Sequence, residues 1–284
     1  MKKTAVTFFL ILLAFSFPLL SISQEMPGDE PFHLRGVGQE ADSDTKIDVP
    51  ARQTASAFGI DVSHYQGVID WEKVKLSGQH PVEFMFAKAS QGVTIRDEQY
   101  LRNMDEARRA GILVGSYHYF SSGGNGVEQC DYFMSVIRDV PQDLLPVVDV
   151  EECPRSWGPM SLRRNLRDFL LRMEQVYGMR PIIYTNIFFY NMYLADEFKD
   201  YILFIARYSD EEPVLIDGAD WTVWQFSERG RVNGIRHHVD LDCVNGKYTL
   251  DDLMINPPKL RFRSGNSMNP HVAPNPLPYD AGLE

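Results

Sequence analysis

Cysteine and basic residues are both scarce in this chain of 284 residues. Three cysteines allow at most one disulfide within the chain and leave one thiol over. The 28 Lys and Arg residues are outnumbered by 39 Asp and Glu residues, which gives a formal net charge of −11. Because such a chain repels phosphate backbones and anionic lipids, we expect no nucleic-acid partner and no binding to an anionic membrane surface.

Long apolar runs are also missing, except near the start of the chain. A nearly all-apolar stretch, 5–20, follows two lysines and precedes the small-residue pattern Ser21-Ile22-Ser23. This order is typical of a cleaved secretory signal peptide, which we predict over residues 1–23. No other segment is long and apolar enough to span a bilayer. We therefore expect a secreted or periplasmic protein without stable membrane insertion.

Sequence motifs for cofactors and metals are absent as well. No glycine-rich G-x-G-x-x-G segment follows the first predicted strand, which argues against a nucleotide-binding fold. No ligand spacing such as H-E-x-x-H occurs, so neither a cofactor nor a metal ion is expected. The chain also has no internal repeat at a solenoid period. Its chemistry is therefore expected to come from its own side chains.

The chain divides into three parts after the predicted signal peptide. Residues 24–56 are polar, acidic and rich in Pro, Gly, Asp and Gln, which predicts a disordered leader or linker. Residues 257–284 form a Pro-rich tail without an apolar period. Residues 57–256 alternate strand-like and helix-like segments, which predicts parallel strands and an α/β fold. Acids at several strand ends favour a barrel, where residues gather around a ring, over an open doubly wound sheet.

The elements of this middle part are predicted from their apolar spacing. Apolar residues at helical spacing predict helices over 100–110, 127–137 and 162–177. Cys130 falls on the apolar face of the second helix, which indicates a small core residue. The remaining apolar runs predict strands at 58–62, 84–89, 112–119, 144–150, 181–184, 202–208, 221–226 and 239–241.

One of these strands ends abruptly in acid. The apolar run 144–150 contains Asp149 and continues into Glu151 and Glu152. Asp149 and Glu151 are two residues apart, so on a strand both side chains leave from the same face, about 6.6 Å apart along the chain. Burial raises the pKa of a carboxyl group, and each charge raises the pKa of the other group. The alternative is that both acids are solvated in a loop just past the strand end.

Two further acids are predicted at strand ends on the same side of the barrel. Asp61 ends the first strand, and Asp240 lies in the last strand-like segment. Four carboxyl groups at one mouth repel one another unless they share protons or act on a substrate. The pattern suits glycoside hydrolysis, in which one carboxyl group donates a proton and another stabilises positive charge on the sugar.

Aromatic side chains accompany these acids. Sugar rings present apolar faces that pack on aromatic rings, and the polar tips of Tyr and His form hydrogen bonds with hydroxyl groups. Any single aromatic residue in a strand is more often a core residue, but a set that flanks acids favours a saccharide groove. The aromatic and histidine residues at or near strand ends are Tyr65, Tyr117, His118, Tyr119, Tyr184, Tyr208, Trp224 and Phe226.

Eight short motifs in order support the same conclusion. They are the segments 59–67 with 69–71, 86–92, 115–120, 148–151, 183–186, 205–208, 224–226 and 239–242. The first reads Gly-Ile-Asp-Val-Ser-His-Tyr-Gln-Gly, followed by Ile-Asp-Trp. In this order they resemble the glycoside hydrolase family 25 lysozymes, the Chalaropsis-type N-acetylmuramidases. The resemblance covers residues from about 57 to 250, and each motif is weak when it is taken alone.

The resemblance implies a fold, a reaction and site residues. The fold is an irregular TIM-like (β/α)5(β)3 barrel, here as a single catalytic domain. The reaction is hydrolysis of the β-1,4 bond from N-acetylmuramic acid to N-acetylglucosamine in peptidoglycan, by an enzyme expected to be monomeric. Glu151 corresponds to the general acid and Asp149 to its partner, with Asp61 and Asp240 in supporting roles. The predicted substrate-binding residues, which include two polar residues of the motifs, are Tyr65, Tyr117, His118, Tyr119, Tyr184, Arg207, Trp224 and Gln225.

Several alternatives stay open at this point. Asp149 orients the substrate's acetamido group for attack, attacks the sugar directly, or assists an inverting water. Two other functions are a wall-binding module without catalysis and a metal-dependent hydrolase that uses His64, His118 and Asp61. Cys153 and Cys243 each follow an acidic motif, which makes them the candidate pair for a disulfide in an oxidising compartment.

Overall fold

The computed structural model describes four stretches of the chain, 54–75, 81–153, 158–178 and 180–255. The predicted signal peptide, nearly all of the predicted leader and the predicted Pro-rich tail lie outside the described residues. Within the described part, no helix is long and apolar enough to cross a membrane.

Among the described residues, nine strands form one sheet, and eight of them close into a barrel. The first strand pairs with the second on one side and with the last on the other, which closes the ring in the order β1-β9-β8-β7-β6-β5-β4-β2, with β3 paired outside it on β2. The strands are β1 Ala57–Val62, β2 Phe84–Gln91, β3 Ile95–Arg96, β4 Leu113–Tyr119, β5 Val147–Asp149, β6 Ile182–Asn186, β7 Ile202–Ala206, β8 Val223–Gly230 and β9 Val239–Val244.

Five α-helices follow the first strands of the barrel. Within the described residues they separate β1 from β2, β3 from β4, β4 from β5, β5 from β6 and β6 from β7, while β7, β8 and β9 follow one another without an α-helix. This confirms the predicted irregular (β/α)5(β)3 barrel. The helices are α1 Trp71–Lys75, α2 Tyr100–Arg109, α3 Gly126–Ile137, α4 Gly158–Tyr177 and α5 Ile187–Phe189, and the last continues into a π-helix, Tyr190–Leu194.

The direction of the last strand differs from that of the others. Seven barrel strands are parallel, and β9 runs antiparallel to both of its neighbours, β1 and β8. Its first residues therefore lie at the end of the barrel where the parallel strands finish. We call this end the mouth and the opposite end the base. Asp61 pairs with Asp240 across β1 and β9, so two of the predicted acids meet at the mouth.

Strand alternation separates two apolar layers. Successive side chains of a strand point to opposite faces, so every second residue enters the barrel. The rings of Phe86 and Phe204 come from opposite strands and lie 5.9 Å apart between centroids, which places both inside the barrel. The larger apolar layer packs between the strands and the helices, where the buried faces of α2, α3 and α4 contribute such residues as Met104, Phe133 and Phe169.

The base of the barrel is closed by apolar side chains from two segments. Leu144 forms a β-bridge with Met254, and the amide of Leu145 donates to the carbonyl of Leu253 at 2.7 Å. The predicted strand 144–150 therefore starts too early, since β5 begins at Val147. Pro146 has no N–H to donate, and Leu144 and Leu145 instead form part of an apolar plug at the base. The 3₁₀ helix Leu250–Leu253 supplies the other half of this plug.

The cysteines do not form the proposed bridge. Cys153 is a free thiol, so the candidate disulfide between Cys153 and Cys243 is absent from this structure. Cys130 is buried between α3 and its neighbours, as predicted, and burial raises the pKa of its thiol to about 12.

Candidate active site

Inside the barrel, the polar side chains lie toward the mouth and the apolar side chains lie toward the base. They follow the two-residue alternation of the strands, which carries each strand from apolar residues at the base to polar residues at the mouth. The inward-facing polar set on the strands consists of Asp61, Lys88, Tyr117, Tyr119, Asp149, Tyr184, Gln225, Asp240 and Asp242. The structure therefore brings three predicted acids and four other predicted residues together at one end of the barrel.

The first acidic pair is built on the end of β5. Asp149 is its last residue and is buried, and the carbonyl of Asp149 accepts the amide of Phe120 at 2.8 Å. The next residue, Val150, is held on the other side, because its amide donates to Tyr184 and its carbonyl accepts Thr185 Oγ1 at 2.6 Å. Both neighbouring strands thus fix the backbone from which Glu151 extends.

Burial dominates the titration of Asp149. It raises the pKa of Asp149 well above the usual value, and the charge of Glu151 raises it further. One carboxylate oxygen of Asp149 is buried without a hydrogen-bond partner among the described residues. Ionisation of either carboxyl group therefore disfavours ionisation of the other.

A buried cation that is not among the residues predicted from the sequence faces this pair. Lys88 is buried on β2, its Nζ donates to Gln91 Oε1 at 2.9 Å, and it lies 4.9 Å from the centroid of the Tyr119 ring. Burial lowers the pKa of Lys88, while the charges of Asp149 and Glu151 oppose that change. In return, Lys88 lowers the pKa of Asp149 and favours its ionised form.

The second acidic pair joins β1 and β9. Burial and the charge of Asp61 raise the pKa of Asp240 to about 9, so Asp240 carries a proton at neutral pH. The protonated Asp240 donates a hydrogen bond to Asp61. Burial raises the pKa of Asp61 as well, and the nearby carboxyl group of Asp242 adds to this, whereas hydrogen bonds from Gln225 and Asp240 lower it.

Gln225 connects the second pair to the tyrosines. Its Nε2 donates to Asp61 Oδ2 at 2.6 Å, and its Oε1 accepts Tyr184 Oη at 2.9 Å and Tyr208 Oη at 2.7 Å. Burial raises the pKa of Tyr184 and Tyr208, and the charge of Glu151 raises both further, which places these phenols near the first pair. Burial and the charge of Asp61 likewise raise the pKa of Tyr117. The tyrosines are therefore neutral donors around the acids.

One buried acid at the mouth is not among the site residues predicted from the sequence. Asp242 lies one inward position deeper on β9 than Asp240, is fully buried, and has no hydrogen-bond partner for either oxygen among the described residues. Burial and the charge of Asp240 raise the pKa of Asp242 well above its usual value. The two-residue spacing from Asp240 was the available signal, because it places both side chains on one face of the strand.

Asp242→Asn is expected to stabilise the protein increasingly as pH rises. The folded-state pKa of Asp242 is raised, so the wild-type protein loses stability as pH rises above the unfolded-state value of about 4, whereas a neutral Asn does not. Between pH 5 and pH 8 we expect the gain in unfolding free energy to grow by on the order of 1 kcal/mol, measured by urea denaturation. The control is Glu98→Gln, which removes an acid on the exposed surface. A gain that is constant or shrinks with pH contradicts the assignment.

Two predicted substrate-binding residues lie on the wrong face of their strands. His118 is buried between β4 and the helices, 5.3 Å from the rings of Phe133 and Phe169, with Nδ1 2.8 Å from Ser90 Oγ. Burial lowers its pKa to about 3. Trp224 packs in the same outer layer, where its Nε1 donates to the carbonyl of Arg207. Neither side chain faces the mouth, because the neighbours of inward-facing residues must point outward.

Three other residues sit at the rim of the mouth. Tyr65 is exposed in the loop after β1. Arg207 structures the loop after β7, since its guanidinium donates to the carbonyl of Glu212 and to the carboxylate of Glu211 at 2.6 and 2.5 Å. Glu152 accepts a hydrogen bond from Tyr119 Oη at 2.8 Å. If β5 continued to Glu152, strand alternation would turn this side chain outward, but β5 ends at Asp149.

The residues of the metal-dependent alternative do not converge. His118 lies between β4 and the helices. His64 follows β1, and its Nδ1 lies 2.7 Å from Oδ2 of Asp97, which follows β3. Among the residues that the structure describes, no group of three or more His, Cys, Asp or Glu side chains is arranged to hold a metal ion.

Cavity size does not identify the site. A cavity of about 770 Å³ lies outside the barrel against α1, α2 and the loop before β9, and none of the mouth acids lines it. The mouth is identified instead by its buried carboxyl groups and by the tyrosines that surround them.

Carboxyl groups in pairs, at the carboxyl ends of the parallel strands of an α/β barrel, match the arrangement that glycoside hydrolysis uses. The sequence model of glycosyl hydrolases family 25 matches residues 60–235. The chain belongs to this family, which confirms the resemblance found in the sequence.

Individual relatives agree with this assignment. The protein YegX of Escherichia coli strain K12 is 35% identical over 209 residues, which cover 73% of this chain and 75% of the relative. Lysozyme M1 of Streptomyces globisporus is 30% identical over 230 residues, which cover 75% of this chain and 74% of the relative. The crystal structure of a bacterial lysozyme from Streptomyces coelicolor superposes with a TM-score of 0.63 at 30% identity, over 70% of this chain and 96% of that one.

Proposed function

We propose that the protein is a secreted lysozyme that hydrolyses the β-1,4 bond from N-acetylmuramic acid to N-acetylglucosamine in peptidoglycan. The observation that carries the proposal is the acidic pair Asp149 and Glu151 at the mouth of a family 25 barrel. The relatives named lysozyme M1 and autolytic lysozyme support the choice of substrate.

In this proposal Glu151 is the general acid. It extends from a backbone fixed by both neighbouring strands and is less buried than Asp149, so it reaches a glycosidic oxygen at the mouth. Its proton goes to that oxygen as the bond from the anomeric carbon to the oxygen breaks. The electron pair of the bond leaves with the oxygen, and positive charge develops at the anomeric carbon.

Asp149 is the negative partner of that charge. Its burial makes ionisation costly, and Lys88 offsets part of this cost by its opposite charge. Lys88 favours the ionised form of Asp149, and we place the proton on Glu151 and the negative charge on Asp149 in the reactive state, which is the division of roles that glycoside hydrolysis needs.

The second acidic pair and the tyrosines bind the sugars. Protonated Asp240, the amide of Gln225 and the phenols of Tyr184 and Tyr208 form a connected set of donors around Asp61. Such a set fixes Asp61 as an acceptor for sugar hydroxyl or amide groups, and Tyr117 and Tyr119 add further phenol donors and ring faces.

The signal-peptide pattern over residues 1–23 supports secretion. We propose that the exported protein begins at Gln24, which N-terminal sequencing of secreted material tests. Its acidic charge then gives no long-range attraction to an anionic wall, so recognition depends on the groove.

The reaction is tested by the ends that it creates. Incubation with purified peptidoglycan is expected to release fragments with new reducing ends on muramic acid, identified by mass spectrometry after reduction, in the presence of EDTA as well as in its absence. Reducing ends on glucosamine indicate a glucosaminidase and contradict the proposed bond. Binding to walls without new ends indicates a binding module, and loss of cleavage with EDTA indicates a metal-dependent hydrolase.

A further inference from the structure

The cavity of about 770 Å³ outside the barrel takes no part in the reaction proposed above. Its volume lies within the range of about 300–1,000 Å³ that is typical of ligand sites in proteins. The wall is formed by α1, by α2 and by the connection 231–238 between β8 and β9, which we call the β8–β9 loop. Seven of the twelve lining residues are charged, four of them basic and three acidic. The cavity therefore suits a polar ligand that carries charge.

The β8–β9 loop is held against the start of α1. The amide of Asp70 donates to the carbonyl of Gly234 at 3.0 Å, and Gln66 Nε2 donates to the carbonyl of His238 at 3.1 Å. Gly234 has a φ of +92°, and a Cβ atom at this position would lie 2.3 Å from the carbonyl oxygen of Asp70, so only glycine permits this approach. The position of Arg236, two residues further on, is thereby fixed relative to the cavity.

Most of the charged side chains in the cavity wall are paired with a neighbour, but two are not. Arg236 and Glu72 are exposed and form no ion pair among the described residues, so both charges are available to a ligand. One unpaired cation and one unpaired anion in the same cavity match a ligand that has both an anionic and a cationic group. The other charges are engaged in pairs, at 2.7 Å for Lys73–Asp70, 2.8 Å for Arg102–Glu106 and 2.8 Å for Arg109–Asp105.

The β8–β9 loop is basic although the chain as a whole is acidic. Residues 231–238 contain two arginines and two histidines and no acid, in a chain with a net charge of −11. One η nitrogen of Arg231 donates to the carbonyl of Arg236 at 3.4 Å, which ties the two arginine positions together. The loop therefore forms a local positive surface that attracts carboxylates.

The cavity lies within reach of a substrate bound at the mouth. β8 ends and β9 begins at the mouth, so the loop between them lies at the rim. Arg236 precedes Asp240 by four residues, so their Cα atoms are at most about 14 Å apart, because an extended chain spans about 3.6 Å per residue. By the same measure a peptide of three to five residues spans up to about 10–18 Å. A short peptide on a sugar beside Asp61 and Asp240 can therefore enter the cavity.

We infer that this cavity binds the peptide stem of peptidoglycan, with Arg236 on a carboxylate of the stem and Glu72 on the amino group of its diamino acid. Muramic acid carries this short peptide on its lactyl group, and a stem that is not crosslinked has free carboxylates and a free amine. The planar guanidinium of Arg236 can bind a carboxylate through two parallel hydrogen bonds. The inference rests on the proposed function and adds to it a preference for glycan strands that carry stems over bare strands.

Binding of the stem alone tests the cavity without cleavage. The probe is a free stem tetrapeptide that contains a diamino acid, titrated into the full secreted protein and followed by nuclear magnetic resonance. Arg236→Ala is expected to weaken binding by about 3- to 10-fold, and Arg236→Glu is expected to weaken it further. Amidation of the probe's carboxylates is expected to weaken its binding to the wild type but not its binding to Arg236→Ala.

Glu72 is tested by the corresponding comparison for the amino group. Glu72→Gln is expected to weaken binding of the same peptide by about 3- to 10-fold, and acetylation of the probe's amine is expected to remove this difference. The matched control is Arg164→Ala, which removes an exposed arginine on α4, outside the cavity, that forms no ion pair among the described residues. Binding to this control is expected to stay within about twofold of the wild type.

Cleavage provides a second measurement. The wild-type protein is expected to cleave strands with stems about 3- to 10-fold more efficiently, as kcat/KM, than strands from which an amidase has removed the stems. Arg236→Glu is expected to abolish this preference and to keep cleavage of bare strands within about twofold of the wild type.

The outcomes separate the stem site from the proposed function. Peptide binding that is unchanged in both Arg236 variants, or that is absent from the wild type, overturns the inference even if muramic acid ends are released. Binding of inorganic phosphate that depends on Arg236, without such binding of the peptide, indicates a phosphate-containing polymer and also overturns it. Peptide binding that depends on Arg236 in a protein that does not cleave peptidoglycan keeps the stem site and removes the enzymatic assignment.

Discussion

Glu151→Gln is expected to lower the turnover of purified peptidoglycan by about 10²- to 10⁴-fold, the range that a positioned general acid contributes. Glutamine keeps the shape of the side chain but has no acidic proton for the leaving oxygen. The thermal midpoint is expected to stay nearly the same, because glutamine has nearly the same size as glutamic acid and Glu151 is only partly buried. Release of soluble fragments and melting by circular dichroism measure the two effects.

The adjacent acid provides the matched control. Glu152 accepts the hydroxyl of Tyr119 and has the same charge and nearly the same position in the chain. Glu152→Gln keeps a side chain that can still accept this hydrogen bond, so we expect activity within about tenfold of the wild type. Near wild-type turnover in Glu151→Gln, or an equal loss in both variants, contradicts the assignment of Glu151 as the proton donor.

Asp149→Asn is expected to lower turnover by about 10²-fold or more and to change the shape of the pH profile. In the wild-type protein, protonation of the Asp149–Glu151 pair on the acidic side removes the negative partner, and deprotonation on the basic side removes the donor. Because burial raises the pKa of Asp149, the acidic limb of the wild type is expected above the usual pKa range of an Asp carboxyl group. Asparagine cannot titrate, so the variant loses this limb, and its basic limb moves to lower pH once the charge of Asp149 is gone.

The same variant helps to choose among the open mechanisms. Nuclear magnetic resonance of the first-formed anomer from the wild-type protein distinguishes inversion by water from retention. If retention is found, a substrate without the N-acetyl group separates attack by the acetamido oxygen from attack by Asp149, since only the former loses its nucleophile. A wild-type pH profile and turnover in Asp149→Asn contradict any direct role for this carboxylate.

The sequence predicted the barrel because its elements agree with simple periods. The helical stripe through Leu162, Leu166 and Phe169 packs against the barrel as expected, and Gly178 with its positive φ ends that helix. The acids at the ends of β1 and β5 also lie where the apolar runs stop. Both features depend on local spacing, which a single sequence shows directly.

Strand alternation explains most of the errors. Tyr117, His118 and Tyr119 are consecutive, so they cannot all face the mouth, and the same holds for Trp224 beside Gln225. Selecting residues by type alone included the outward-facing members. Applying the period of two would have removed His118 and Trp224 and added Lys88, which shares the inward face of β2 with Phe84 and Phe86.

Other features depend on contacts that local spacing does not encode. The reversal of β9 decides that Asp240 meets Asp61 at the mouth while Asp242 lies deeper, and it follows from the closure of the sheet. The early end of β5 turns Glu152 toward Tyr119, and the hydrogen bonds of Gln225 join residues of three strands and one loop. Each of these arises from long-range pairing.

The reversal of β9 also decides how the domain can be attached to something else. β1 starts at the base, and the chain returns there after β9 to form the plug with Leu253. Both ends of the described domain, at residues 54 and 255, therefore lie on the side opposite the mouth. A tether at either connection holds the domain with its mouth turned outward, so an immobilised or fused form is expected to retain access to an insoluble polymer.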